Sequence, residues 1–204
     1  MIAPQLIVLD LMDTLIVDPF FRYLLPLYKK PMNEIWAAID QTVWPRFEEG
    51  AISEEVFFKT YYHPHIDPQA EGFPSATLVR QTIFDNLFFI EGMDSLLVEL
   101  EAADTRLWVL SNYPIWFEEI KKRLALDRFV EDYVVSYEVG ARKPSSKIYE
   151  ALCQRAGVKP EQCYFVDDRQ KNIEGARAFG MQAKQFESAD TLRQDLIAVS
   201  VLKP

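Results

Sequence analysis

Four short apolar runs in this sequence each lead into residues that could handle a phosphate or a metal ion. Leu6-Ile7-Val8-Leu9 runs into Asp10-Leu11-Met12-Asp13, and Leu107-Trp108-Val109-Leu110 into Ser111-Asn112. Tyr133-Val134-Val135 is followed, past a loop, by Lys143-Pro144, and Tyr164-Phe165-Val166 by Asp167-Asp168. Carboxylates gathered from separate strands can share Mg2+, a cation that prefers oxygen ligands. Such an ion would offset the repulsion between Asp10, Asp168 and an incoming phosphate. Ser111 can donate a hydrogen bond to a phosphate oxygen, with Asn112 beside it. Lys143 is a point charge that can steady a transferring phosphoryl group. Asp10 could then attack phosphorus and form an aspartyl-phosphate that water cleaves.

That chemistry requires the four runs to be neighbours in one sheet. Each is short, rich in β-branched or aromatic residues and bounded by polar ones, the pattern of strands buried on both faces. Helical periodicity lies between them, over 115–126 after Pro114, over 145–156 before Gly157, and over 173–179 before Gly180. A fifth short strand is expected over 182–186. Strands alternating with helices predict an α/β fold, a doubly wound, Rossmann-like parallel sheet. Ligands bind such sheets at the carboxyl ends of the strands, where all four sets of polar residues fall.

Residues 20–86 break this rhythm, with no convincing strand. Ile35, Ile39, Val43 and Phe47 recur every fourth residue and predict one amphipathic helix. Ser53 can cap a second, with Glu54 and Glu55 in its first turn. The expected organisation is a core of residues 1–18 and 87–204 with a small, all-helical cap inserted over 19–86.

The 204 residues carry a net charge of −9. A field of that sign repels polyphosphate backbones and argues against a nucleic-acid partner. No run approaches the roughly 20 apolar residues of a membrane span, and no basic-then-apolar leader opens the chain. The two cysteines, Cys153 and Cys163, lack metal-ligand neighbours and read as buried free thiols in a reducing compartment. These features predict a cytoplasmic protein, monomeric or homodimeric, acting on a small phosphorylated molecule.

The ordered motifs closely resemble those of the haloacid dehalogenase superfamily of hydrolases. Asp10 to Leu15 is similar to its first motif, Leu107 to Ser111 to the second, Lys143-Pro144 to the third, and Phe165 to Asp168 to the fourth. The resemblance covers residues 5 to about 187, and the helical insertion is similar to the small cap of many members. It implies that Asp10 is nucleophile and metal ligand and that the backbone carbonyl of Met12 binds the metal. It implies a phosphate-binding hydroxyl at Ser111, a charge-stabilising lysine at Lys143, and an acidic pair, Asp167 and Asp168, near Mg2+. Asn172 stands where many members carry another acid.

Met12 departs from that pattern, because phosphatases of the superfamily carry there an Asp that shuttles protons. General acid–base help is worth about a hundred- to ten-thousand-fold, and a thioether cannot supply it. Asp13 is one substitute. Alternatives are dehalogenation, phosphonate cleavage through a cap lysine (Lys29, Lys30 or Lys59), or phospholigand binding without turnover. The stretches 10–20, 111–117 and 165–169 also resemble a plant chloroplast branch associated with flavin mononucleotide hydrolysis, which has Met at this position. Tyr113, Trp116, Trp44 and Phe47 could offer flat surfaces to an aromatic ring. Tyr113, next to the motif, is the best placed, whereas Trp44 and Phe47 fit the cap interior.

Three minor features read as structural. His63 and His65 flank Pro64 in a turn. Arg142 extends the positive charge of Lys143. Glu48, Glu49, Glu54 and Glu55 read as a solvated acidic face.

Overall fold

Side-chain alternation along each strand explains why the apolar runs form the centre of the molecule. Ile7 and Leu9 join one apolar cluster and Leu6 and Val8 another, on opposite faces of the sheet. The computed structural model describes residues 4–204; residues 1–3, part of the expected core segment, lie outside the described residues. The strands are β1 (Leu6–Leu9), β2 (Leu107–Ser111), β3 (Asp132–Val135), β4 (Cys163–Asp167) and β5 (Gln182–Gln185). They lie in the order β3-β2-β1-β4-β5, every neighbouring pair parallel. The three inner strands are buried throughout, whereas the edge strand β5 is polar and half-buried. Burying one large side chain such as Phe165 is worth about 1.5–3 kcal/mol.

Ten α-helices are found among the described residues. Four follow β1: α1 (Met32–Ala38), α2 (Val43–Glu48), α3 (Glu54–Thr60) and α4 (Ala76–Asp85). Before them the chain makes a π-helical turn over Phe20–Leu24 and a 3-10 turn over Leu25–Tyr28. Helix α5 (Met93–Ala102) leads into β2. Then come α6 (Phe117–Arg123), α7 (Ser136–Val139), α8 (Ser146–Ala156), α9 (Gln170–Phe179) and α10 (Ala189–Ala198). Side chains of α5, α6 and α10 pack with Ile7 and Leu9, and those of α8 and α9 with Leu6 and Val8. Helices therefore cover both faces, the doubly wound arrangement that the alternation predicts. Helices α4, α5, α7 and α10 add to those expected.

The predicted single helix through Ile35 to Phe47 is divided. Ile39 is extended and bridges Tyr62, and the Asp40 N–H donates to the Tyr61 carbonyl at 2.8 Å. Asp40 Oδ1 then accepts from the Thr42 N–H at 2.9 Å and its hydroxyl at 2.7 Å. This side-chain turn competes with helical bonding, and pairing with a distant segment decides the outcome. Ser53 does cap α3, its hydroxyl accepting from the Val56 N–H.

Candidate active site

The chain leaves β1 in a tight loop that holds Asp10 at the sheet edge. The Asp10 N–H donates to the Val166 carbonyl at 2.9 Å, tying the loop to β4. Asp13 takes a left-handed φ of 53° and donates its N–H to Ile16 at 2.7 Å. Its exposed carboxylate accepts the Asp18 N–H at 3.0 Å. Asp13 thus builds the turn and is not among the described residues that line the cavity below.

Lys143 is the hub. Its ammonium is buried and donates to Asp10 Oδ1 at 2.5 Å, to Asp167 Oδ2 at 2.7 Å and to the Leu110 carbonyl at 2.7 Å. All three donor protons are used in charge-assisted or backbone bonds. Burial alone would favour the neutral amine, but Asp10 and Asp167 hold its pKa above the ordinary lysine value. Burial pushes the Asp10 carboxyl upward, Lys143 opposes that shift, and the like charge of Asp167 adds to it.

Asp167 is fully enclosed. Its oxygens accept from Lys143, from the Arg169 N–H at 2.8 Å, and from Asn172 Nδ2 at 2.9 and 3.0 Å. Where an acid would add repulsion, the Asn172 amide supplies a donor instead. Asp168 differs from Asp167. Its Oδ1 is buried with no hydrogen-bond partner, and burial raises its pKa to about 6, with the charge of Asp167 assisting. Asp10, Asp167 and Asp168 each offer an oxygen within 4.8 Å of the others. A cluster of hard carboxylate oxygens, one of them buried and uncommitted, fits Mg2+.

A cavity of about 360 Å3 opens from Asp10 and Lys143 up to the helices of residues 20–85. Met12, Ser111, Asn112, Tyr113, Arg169 and Asn172 line its floor side, and Phe20, Phe21, Trp36, Trp44 and Glu48 its roof. Phe20 stacks on Trp36 at 6.0 Å, and Trp44 meets Tyr113 edge-on at 6.2 Å. Trp116 also borders the cavity, whereas Phe47 is packed inside the helical segment. Lys143 is the one lysine among the described lining residues; Lys29, Lys30 and Lys59 are not among them.

The Asn112 side chain, at the cavity wall, accepts the Lys143 N–H at 2.7 Å and donates to the Lys143 carbonyl at 3.0 Å. Two expectations need correction. Glu48 is buried rather than solvated, bonded by Trp44 Nε1 at 2.7 Å and paired with Arg142 at 2.6 Å. Arg142 is correspondingly a partner of Glu48, and Glu54 pairs with Arg80 and Trp116. No motif points to Ser136, a buried hydroxyl that donates to the Glu48 carbonyl at 2.5 Å and accepts the Tyr113 N–H at 3.0 Å. Asp18, another cavity-lining residue, was also unassigned. Cys153 and Cys163 are buried free thiols, as expected.

The parallel sheet with Asp10, Ser111, Lys143 and the Asp167-Asp168 pair at its carboxyl edge defines a class. The chain belongs to the haloacid dehalogenase-like hydrolases, whose family pattern matches residues 4–180. It is 32% identical over 202 residues to the chloroplastic flavin mononucleotide hydrolase 1 of Arabidopsis thaliana, covering 97% of this chain and 80% of that one. A glyceraldehyde 3-phosphate phosphatase of Pyrococcus furiosus is 36% identical over 119 residues, 57% of this chain and 50% of the relative. In fold the chain is similar to a family enzyme of Bacteroides thetaiotaomicron solved with magnesium and inorganic phosphate. The TM-score is 0.73 at 20% identity, covering 91% of this chain and 95% of the other. Among the described residues no helix is long and apolar enough to cross a membrane.

Proposed function

We propose that the chain hydrolyses a small phosphomonoester, with Asp10 as the nucleophile and flavin mononucleotide or a similar aromatic phosphate as substrate. The Lys143 ammonium, shared between Asp10 and Asp167, is the observation that carries this reading. It keeps Asp10 aimed at the cavity and supplies positive charge where a phosphoryl group would sit. Ser111, lining the same cavity, donates to a phosphate oxygen. Asp10 attacks phosphorus, the ester oxygen leaves, and water then cleaves the aspartyl-phosphate. Asp10, Asp168 and the Met12 carbonyl would hold Mg2+, with Asp167 beside them. Bound there, the ion offsets the charge that the phosphate brings and polarises its P–O bonds.

Residues 19–86 act as a cap that reads the rest of the substrate. Tyr113, Trp44 and the Phe20–Trp36 stack offer flat surfaces to a ring. The similarity to the flavin mononucleotide hydrolase supports that substrate class. The Asp167-Asp168 pair beside Asp10 and the absence of a cap lysine among the described lining residues favour phosphate ester cleavage over the dehalogenase and phosphonate alternatives.

The test is phosphate release from flavin mononucleotide, sugar phosphates and a chromogenic aryl phosphate, with Mg2+ and with chelator. Magnesium-dependent release that Asp10→Asn abolishes is expected. Release that survives either treatment would remove the mechanism. A preference for sugar phosphates over flavin mononucleotide would remove the substrate assignment alone.

A further inference from the structure

Phosphate ester cleavage needs a proton for the leaving oxygen, and the structure shows which groups cannot give it. Met12 has none to give. Asp13 is turned into its own loop, bonded to the Asp18 N–H. Among the described residues lining the cavity, three carry a carboxyl: Asp10, Asp18 and Glu48. Asp10 is held by Lys143. Glu48 is occupied on both oxygens, by Trp44 and by Arg142. Asp18 remains. Resting on the hydrolase reading above, we infer that Asp18 is the general acid and base of this site, in the place of the shuttle that Met12 cannot be.

Its setting suits the task. Asp18 is half-buried in the cavity wall where the chain passes from the core into the helical segment. The Phe20 N–H binds its Oδ1 at 2.9 Å, which fixes the carboxyl and leaves Oδ2 without a hydrogen-bond partner among the described residues. Burial raises its pKa, the Phe20 N–H and Arg169 oppose the rise, and Asp13 adds to it. Tyr113 lines the same cavity, and the charge of Asp18 pushes its phenol further up after burial does. A carboxyl with one oxygen fixed by the Phe20 N–H and the other uncommitted at the cavity wall can give a proton and take one back.

The steps balance. As Asp10 forms its bond to phosphorus, the P–O bond to the leaving group breaks and Asp18 passes its proton to the departing oxygen. In the second half, water attacks the phosphorylated Asp10 and yields its proton to the Asp18 carboxylate. Alcohol and inorganic phosphate leave, and both aspartates return to their starting states.

Asp18→Asn is the discriminating variant, because the amide oxygen can still accept the Phe20 N–H. Leaving groups that need protonation should suffer most. Steady-state release from an alkyl phosphate is expected to fall about 10²- to 10⁴-fold, with no alcohol burst. An aryl phosphate, whose leaving group needs little acid, should still phosphorylate Asp10. It should give a burst of one phenol per site followed by slow turnover, with the phosphorylated protein visible by mass spectrometry. Adding Met12→Asp to Asp18→Asn should restore alkyl ester turnover. Alkyl ester turnover within about twofold of the parent, or equal loss on both esters without a burst in a variant of unchanged melting temperature, would overturn the role of Asp18. A parent protein inert towards both esters with Mg2+ would overturn the hydrolase reading itself.

Discussion

Asn112 grips the backbone of Lys143 by both ends of its amide, accepting the N–H at 2.7 Å and donating to the carbonyl at 3.0 Å. The residue after the β2 serine thereby fixes the position of the lysine that faces Asp10. Asn112→Ala leaves two half-buried backbone groups unpaired, at about 1–3 kcal/mol. We expect a lower melting temperature and about a tenfold or greater fall in kcat. Asn112→Asp keeps the acceptor, loses the donor and should fall between. Turnover equal to the parent in both variants would mean that Lys143 needs no such support.

Lys143 itself is less replaceable. Lys143→Met removes the charge that holds Asp10 and Asp167 together, leaving two buried carboxylates facing each other. Removal of a transition-state donor costs roughly 10²–10³-fold in kcat, and that loss is expected with every phosphate ester tested. Lys143→Arg should not restore activity, because a planar fork cannot reproduce three bonds converging on one nitrogen. Activity near that of the parent in Lys143→Arg would contradict this geometry.

The titration of Asp168 predicts how metal stabilises the fold. Its carboxyl rises from an ordinary 3.8 to about 6, chiefly through burial. In metal-free protein this contribution is fully present below about pH 4 and is lost as pH climbs through about 6. Mg2+ binds the ionised carboxylate, so its stabilising effect grows across that interval. The magnesium-induced rise in melting temperature should therefore be larger at about pH 7.5 than at about pH 5. Equal rises at both would separate Asp168 from the metal.

Gly175 in α9 supports the same centre from behind. A Cβ there would lie 2.7 Å from the Pro144 Cβ and 2.9 Å from the Pro144 carbonyl oxygen. Gly175→Ala must displace the backbone beside Lys143. It should lower stability by about 1–3 kcal/mol and reduce turnover, even though α9 itself would gain helix propensity. Calorimetry and steady-state kinetics on this single variant check both.

The carboxyl edge was legible in the sequence because inner strands of a parallel sheet are buried on both faces. Their ends therefore stand out as the first polar residues after apolar runs. Asp10, Ser111 and Asp167 announce themselves in this way, whereas Lys143 stands eight residues beyond Val135 and is marked by the family motif it resembles. Glu48 does not, because a cluster of glutamates reads as solvated and its partner Arg142 lies far along the chain. The break at Ile39 is equally hidden, since pairing with Tyr62 decides it and no local spacing records that pairing. Asp18 precedes a proline and reads as an ordinary turn residue; the cavity around it is what changes its meaning.

The bond from Ser136 to the Glu48 carbonyl bears on how a ligand comes in. It fastens the helical insertion to the start of α7, directly after β3, and the Glu48–Arg142 pair doubles the fastening close by. That side behaves as the jamb of a door. Elsewhere on the cavity rim, Phe21 is 59% and Trp36 36% exposed. A flat molecule entering there would slide between aromatic faces with its phosphate leading, and its ring would come to rest at the doorway.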